Sequence, residues 1–235
     1  MQERPNKPGV ITHNPLQCLR EPFGNVWVLK AKFIYDPFRF MHITILSAST
    51  RLNRQSHRVA LALEKWINEN SDHTAEVLDL AEYNFPVMEE VLHRHPNPPA
   101  GLKDFAERVR QSDAHLFVSP EYNGTYTSAL KNAVDYLKEK EFARKVIGVV
   151  TATTGMMGGI RAALSMQQLV LGIAGYAIPQ MLTVPQVSQR FDEVGNLIDP
   201  AFEAKFAGFL GHFFWLAEAV VAKKGVPAVA LAKEF

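Results

Sequence analysis

The sequence predicts an α/β fold, a three-layer sandwich in which helices cover both faces of a five-stranded parallel sheet. Two observations support this prediction. Apolar, β-like runs alternate with helical patterns from residue 41 onward, and the alternation repeats five times. A helix after every strand requires parallel pairing, because the chain must cross over the sheet before it begins the next strand.

The composition fits a globular protein and narrows the possible partners. The chain has 235 residues, of which 47% are hydrophobic and 21% charged, so it can bury a substantial core. A net charge of +1 does not indicate nucleic acid or an anionic membrane as the main partner. The single cysteine, Cys18, excludes an internal disulfide framework and favours a reducing, cytoplasmic compartment. No run reads as a transmembrane segment, because glutamines and glycines interrupt the longest one, residues 164–178.

Residues 1–40 differ from the rest of the chain. They hold five of the 14 prolines and one β-like stretch, NVWVLKAKFIY, that suits an isolated strand or a hairpin. Two interpretations are open: a genuine arm that packs on a partner subunit, or an upstream stretch before a true start at Met41. The sequence thus predicts an N-terminal extension, residues 1–40, and a folded domain, residues 41–235.

Each element of the domain follows from a local pattern. The predicted strands are short apolar runs, and the predicted helices place apolar residues on one face. Strands are predicted at residues 42–47, 75–80, 114–120, 145–151 and within 176–187, and helices at residues 56–70, 102–112, 127–137, 159–175 and 200–223. The fifth strand is assigned to an edge of the sheet because Pro179 and Pro185 flank it.

Five such units favour the flavodoxin-like strand order 2-1-3-4-5 over a six-stranded dinucleotide fold. In sheets of this kind, ligands bind beyond the carboxyl ends of the strands, where the strand order reverses. That point lies between the first and third strands, so the loops that follow these strands are expected to face each other.

The first loop, residues 47–60 (SASTRLNRQSHRVA), opens directly into a helix. A helix N-terminus offers unpaired N–H groups and partial positive charge, which suit a phosphate. The loop adds hydroxyl, amide and guanidinium groups, on Ser47, Ser49, Thr50, Ser56, Gln55, Arg51, Arg54 and Arg58. It is neither a Walker loop nor a GxGxxG loop, since it contains no glycine. The alternative is a capped helix start with solvated arginines.

The second loop, residues 120–124 (PEYNG), and the third loop, residues 151–159 (TATTGMMGG), favour a flat ligand. Pro120 restricts the backbone and Gly124 frees it, which aligns backbone N–H and C=O groups with a ring edge that Tyr122 can shield. Small residues in the third loop allow close approach and an anion-binding nest. Ordinary turns are the alternative for both loops. A phosphate site beside a flat-ring site indicates a mononucleotide cofactor.

These motifs resemble those of the NADPH-dependent FMN reductase family of flavodoxin-like proteins, a group that includes quinone, azo-dye and chromate reductases. SPEYNG followed by SALKNAVDY is the most specific piece. The S-x-R-x4-S pattern of Ser49, Arg51 and Ser56 supports it, as does the third loop ending at Gly159. The resemblance covers residues 41–187.

The resemblance implies FMN as cofactor and NADPH or NADH as co-substrate. It implies that the first loop holds the FMN phosphate through Ser49, Arg51, Gln55 and Ser56. It implies that the second loop contacts the isoalloxazine and ribityl chain through Pro120, Glu121, Tyr122, Asn123 and Gly124. The third loop is expected on the pyrimidine side of the ring, through Thr151, Thr153, Gly155, Met156, Gly158 and Gly159. A homodimer or homotetramer with the flavin near a subunit interface is also implied.

The implied activity is NAD(P)H-dependent flavin oxidoreduction, with a hydride passing through FMN to free flavin, a quinone or a similar small-molecule acceptor by a ping-pong mechanism. No side chain is assigned as catalytic acid or base, and no metal is predicted. The alternative is a flavodoxin-type electron carrier without NAD(P)H activity, but such carriers are strongly acidic and this chain is near neutral. A third possibility, a metal-dependent hydrolase, would use an incomplete ligand set in a proline-rich loop: Glu89, Glu90, His93 and His95.

Overall fold

The computed structural model describes residues 18–23, 26–31 and 40–223, and the chain divides into two compact units, Met1–Pro37 and Phe38–Phe235. The first unit contains strands β1 (Cys18–Phe23) and β2 (Val26–Ala31), which pair antiparallel. The rest of the predicted extension, like the side chain of Cys18, lies outside the described residues. Its assignment as an arm or as an upstream stretch stays a prediction.

The second unit is built on a five-stranded parallel sheet. Its strands in chain order are β3 (His42–Ser47), β4 (Thr74–Asp79), β5 (Ala114–Ser119), β6 (Val146–Ala152) and β7 (Tyr176–Val184). They lie side by side in the order β4-β3-β5-β6-β7, and every neighbouring pair is parallel. Counted along the chain from β3, this is the predicted order 2-1-3-4-5, so the flavodoxin-like fold is confirmed.

Helices cover both faces of this sheet. They are α1 (His57–Asn70), α2 (Leu80–Tyr83), α3 (Leu102–Gln111), α4 (Ser128–Asp135), α5 (Glu139–Phe142), α6 (Ile160–Gly172) and α7 (Pro200–Ala222). Helices α1 and α7 bury apolar residues on one face of the sheet, and α3, α4 and α6 bury theirs on the other. The sequence pattern predicts these longer helices but not α2 and α5, because four residues are too few to show a periodicity. Helix α6 ends earlier than predicted because Ala174 adopts a left-handed conformation, with φ +56°, that turns the chain toward β7.

Strand β7 forms one edge of the sheet, as its prolines predict. Pro179 lies within the strand, opposite a register shift between Ile147 and Val149 of β6. A proline is tolerated there because its missing N–H interrupts a ladder that is already irregular. The Gln167 side-chain amide donates to the Ile178 carbonyl (2.8 Å), which satisfies one backbone group of this stretch.

Helix α7 is the longest element of the unit. By length and composition it is the one helix among the described residues that matches a membrane-spanning segment. One side of it packs against β6 and β7 and is buried in the core through Phe202, Phe206, Phe209 and Phe213. About a third of its apolar stretch is buried, 33%, and that face packs on the sheet in the layer shared with α1.

Candidate functional site

The first, second and third loops meet at the carboxyl edge of the sheet and enclose a cleft of about 450 Å³. The position is the predicted one, where strand order reverses between β3 and β5. The lining side chains come from all three loops: Ser49, Arg51, Leu52, Asn53, Arg54, Gln55, Ser56, Pro120, Glu121, Tyr122, Ala152, Thr153 and Thr154. A concave site of this size suits a small molecule.

Ser56 is the residue at which the first loop enters α1. Its side chain is buried, does not cap the helix, and its Oγ has no hydrogen-bond partner among the described residues. A buried hydroxyl without a partner costs about 1–3 kcal/mol. A phosphate oxygen at the N-terminus of α1 would accept a hydrogen bond from this hydroxyl, and the helix dipole would stabilise its negative charge. The residues present therefore fit a phosphate-bearing ligand.

The three arginines of the first loop have different environments. Arg54 pairs with Asp79, and Arg58 pairs with Glu193 at 3.3 Å. Within residues 40–223, Arg51 forms no ion pair; its guanidinium lies 5.4 Å from the centroid of the Tyr122 ring. Arg51 is thus the cation of this loop that is available to an anionic ligand.

Ser49 connects the first loop to the second. Its side chain is buried, and its Oγ lies 3.0 Å from the hydroxyl of Tyr122. Gln55 also lines the cleft, with its amide held by a hydrogen bond to the Asn53 carbonyl (2.9 Å). All four residues predicted to hold a phosphate, including Ser49 and Gln55, therefore lie on one side of the cleft.

The second loop divides into a lining part and a turn. Pro120, Glu121 and Tyr122 line the cleft. The N–H of Tyr122 donates to the Thr125 carbonyl (2.9 Å), and the N–H of Thr125 donates back (3.1 Å). Positive φ angles at Asn123 (+51°) and Gly124 (+86°) are those of a type I′ turn. These two residues, predicted as ligand contacts, form the turn and are not among the lining residues described.

Glu121 joins the second loop to the start of α6. Its Oε2 accepts hydrogen bonds from the backbone N–H groups of Arg161 (3.2 Å) and Ala162 (3.4 Å), and its Oε1 accepts one from Arg161 Nε (2.9 Å). Burial alone would raise the pKa of Glu121, but the hydrogen bonds from Arg161 and Ala162 outweigh it and hold that pKa below its ordinary value. The carboxylate stays ionised and ties the second loop to the start of α6.

The third loop lines the cleft only near its start. Thr153 is a lining residue, whereas Thr151 is buried and its Oγ1 donates to the Gly158 carbonyl (2.7 Å). Gly158 and Gly159 have φ angles of +62° and +83° and form the turn into α6. Among the described residues that line the cleft, the third loop contributes Ala152, Thr153 and Thr154, but not the predicted contacts Thr151, Gly155, Met156, Gly158 and Gly159.

Sequence reasoning missed a supporting layer beneath the first loop. Asp79, at the end of β4, is buried beside Arg54 and His57, and His57 Nδ1 lies 2.9 Å from Ser47 Oγ. Burial and the neighbouring Arg54 lower the pKa of His57. A charged residue within the apolar run AEVLDL was the available signal, because a buried carboxylate requires a partner.

The residues proposed for the hydrolase alternative form no metal site. Within residues 40–223, no group of three or more His, Cys, Asp or Glu side chains is placed to hold a metal ion. That holds for Glu89, Glu90, His93 and His95. The arrangement of the cleft instead suits a ligand with a phosphate at one end and a flat ring between the second and third loops.

Comparison with known proteins agrees with this geometry. The family model described as NADPH-dependent FMN reductase matches residues 41–189. A quinone reductase of Pseudomonas putida is 29% identical over 181 residues, which cover 72% of this chain and 94% of that protein. An NAD(P)H-dependent FMN reductase of Pseudomonas aeruginosa is 30% identical over 128 residues, which cover 52% of this chain and 68% of that protein.

Solved structures show the same fold. The flavoenzyme NAD(P)H:(acceptor) oxidoreductase of Paracoccus denitrificans matches with a TM-score of 0.65 at 20% identity, over 76% of this chain and 98% of that one. Because the family match covers more than half of this chain, the protein belongs to the NADPH-dependent FMN reductase family and is an NAD(P)H-dependent flavin oxidoreductase with FMN as its cofactor.

Proposed function

We propose that the cleft holds FMN with its phosphate against the first loop and its ring between the second and third loops. We further propose that the protein passes electrons from NAD(P)H to free flavin, a quinone or a similar small-molecule acceptor. One observation supports this placement of the cofactor: Ser56 and Arg51 lie in the same loop with groups that the fold leaves available. Among the described residues, the buried Ser56 Oγ has no hydrogen-bond partner and Arg51 has no ion pair.

At the phosphate end, the protein supplies charge and hydrogen-bond donors. Arg51 provides a guanidinium that pairs with phosphate oxygens, and Ser56 provides the hydroxyl at the start of α1. Gln55 lines the same wall. These groups orient the cofactor by its non-reacting end, so that its ring extends toward the second and third loops.

At the ring end, the protein supplies flat and polar walls. Pro120 and Tyr122 form one wall, and Thr153 and Thr154 form the other. The chemistry that bound FMN supplies is two-electron transfer between NAD(P)H and the acceptor. Ping-pong kinetics would follow if the acceptor bound where the nicotinamide had left.

No side chain of the cleft is assigned a proton-transfer role. Glu121 supplies a carboxylate to the lining of the cleft. Its hydrogen bonds from the N–H groups of α6 keep it ionised and hold it in that position. The proposed contribution of the protein is therefore binding, orientation and electrostatics, with the ionised Glu121 holding the second loop in place.

We also propose a homodimer or homotetramer in the cytoplasm, without nucleic acid or membrane as partner. Three exposed apolar side chains near the cleft support an oligomer: Leu52 (94% exposed), Met156 (81%) and Met157 (76%). The near-neutral net charge supports a small-molecule partner over a polyanion.

A titration and a turnover assay test the proposal. Apoprotein titrated with FMN is expected to quench flavin fluorescence, and the loaded protein is expected to consume NADPH when a quinone or free FMN is added. Riboflavin, which lacks the phosphate, is expected to bind more weakly than FMN. A protein that binds FMN but leaves NADPH unconsumed with every acceptor would support the flavodoxin-type carrier instead.

A further inference from the structure

We propose that Arg54, although it lines the cleft, is a positioning residue and not a phosphate ligand, and that Asp79 is the group through which it acts. The inference rests on the proposed placement of the FMN phosphate against the first loop. The Arg54–Asp79 pair holds that loop in place before any ligand binds.

The Arg54–Asp79 pair fastens the first loop to the end of the sheet. Asp79 is the last residue of β4 and lies opposite Ser47, the last residue of β3. The two terminal nitrogens of Arg54 contact the two carboxylate oxygens of Asp79, one each. This bidentate fork fixes the plane of the guanidinium as well as its position.

The same guanidinium also fixes the beginning of the first loop. Arg54 Nη1 donates to the Ser49 carbonyl at 3.0 Å, and Ser49 Oγ lies 3.0 Å from the Tyr122 hydroxyl. A continuous chain of polar contacts therefore runs from the end of β4 through Arg54 and Ser49 to the second loop. Arg54, Ser49 and Tyr122 of this chain line the cleft together with Arg51 and Ser56.

Three of the five N–H groups of Arg54 already have partners within the protein. Its terminal nitrogens are directed to Asp79 and to the Ser49 carbonyl, and its positive charge is balanced by a carboxylate whose side chain is 6% exposed. A buried carboxylate that loses its cation is strongly destabilised, so Arg54 cannot move to a phosphate at low cost. Arg51 has no such competing partner among residues 40–223.

Asp79 makes the inference testable, because it is absent from the described lining of the cleft. Besides Arg54, it accepts a hydrogen bond from the Ala81 N–H (3.0 Å) and lies 3.7 Å from His57 Nδ1. A change at Asp79 therefore reaches a bound phosphate through the residues it holds and through the loss of its negative charge, and only the first of these would weaken phosphate binding. If Arg54 were itself a phosphate ligand, releasing it from Asp79 would strengthen phosphate binding.

The experiment compares Asp79→Asn, Arg54→Lys and the double variant in the full-length apoprotein, titrated with FMN and with riboflavin by flavin fluorescence. Each single variant is expected to bind FMN about tenfold more weakly, with riboflavin affinity nearly unchanged. The double variant is expected to bind FMN no more weakly than the worse single variant, because both changes disrupt the same Arg54–Asp79 ion pair. Arg58→Lys is the matched control: that arginine pairs with Glu193 and is not among the described lining residues.

Two outcomes overturn the inference. If Asp79→Asn binds FMN as tightly as the wild type, or more tightly, while Arg54→Lys binds it weakly, Arg54 is a direct ligand. If the variants lose affinity for FMN and riboflavin equally, along with apoprotein melting temperature, the pair only stabilises the fold. A wild type that does not prefer FMN to riboflavin would instead contradict the proposed phosphate site itself.

Discussion

The first and third loops leave the same edge of the sheet, after β3 and β6 with β5 between them, but the fold uses their polar groups differently. In the first loop, Ser56 Oγ has no partner and Arg51 no ion pair within the described part of the chain. In the third loop, the hydroxyls of Thr151 and Thr153 donate to the carbonyls of Gly158 and Gly155. A polar residue near a cleft is available to a ligand only when the fold has not already satisfied it.

The largest expected effect tests the first loop. Arg51→Ala removes a guanidinium that has no ion pair within residues 40–223, and we expect FMN affinity to fall about 30-fold because a charge-assisted contact to the phosphate is lost. Fluorescence titration measures this FMN affinity. Riboflavin, which lacks the phosphate, is the reference ligand and is expected to bind both proteins equally. Arg58→Ala, which removes an arginine that pairs with Glu193, is the control and is expected to bind FMN normally. Equal FMN affinity in Arg51→Ala and the wild type would show that the first loop does not offer Arg51 to the phosphate, which contradicts the comparison.

The next effect tests the third loop through stability. Gly158 has φ +62°, and a Cβ there would lie 3.1 Å from Thr183 Cβ and 3.2 Å from the Pro185 nitrogen. Gly158→Ala is therefore expected to lower the free energy of unfolding by about 2 kcal/mol, measured by urea denaturation.

The matched control lies in the same loop. A Cβ on Gly155 would meet nothing within 4 Å, so Gly155→Ala is expected to be as stable as the wild type. Both variants are expected to keep FMN affinity, since neither glycine is among the described lining residues. A folded Gly155→Ala protein with weakened FMN binding would instead support the predicted contact of this loop with the ring.

Ser56→Ala tests the first loop in two ways, because the change is expected to preserve or raise the stability of the apoprotein while it lowers the affinity for FMN. The apoprotein loses a buried hydroxyl that has no partner among the described residues, so its melting temperature is expected to stay constant or rise. FMN affinity is expected to fall about fivefold as the phosphate loses a donor. An apoprotein that becomes less stable would show that the hydroxyl already has a structural partner.

The smallest expected effect concerns the layer beneath the first loop. Burial and Arg54 hold the pKa of His57 below its ordinary value, so the unfolded chain binds a proton there more readily than the folded protein. The contribution of His57 to the free energy of unfolding is therefore full above about pH 6.5, the ordinary pKa of histidine. It decreases as the pH falls from there through the lower pKa of the folded protein. His57→Gln is expected to make the decline in melting temperature between about pH 7 and about pH 5 shallower. An unchanged slope would assign that decline to other groups.

Much of the fold was predictable because it depends on short-range patterns. Alternating apolar runs and helical periodicities locate β3 to β7 and the longer helices, and parallel pairing then brings the three loops to one edge. The same logic places the cleft. It does not extend to α2 and α5, whose single turns depend on the surrounding packing more than on their own sequence.

The details of the site were less predictable because they depend on contacts between distant residues. The sequence shows arginines at positions 51, 54 and 58, but the three look alike until Asp79 and Glu193 are placed beside two of them. Likewise, the sequence of Asn123 and Gly124 does not fix the local conformation, and the hydrogen bonds between Tyr122 and Thr125 show that these two residues form a turn. The assignment of individual cofactor contacts stays a prediction.

The proline in β7 has a consequence for assembly. An exposed edge strand offers a template on which another chain can add a strand, and such addition leads to uncontrolled aggregation. Pro179 removes one backbone donor from β7, and the register shift beside it makes this part of the strand irregular. A strand with these irregularities is a poorer template for an added strand than a regular edge would be, which disfavours growth of the sheet past β7.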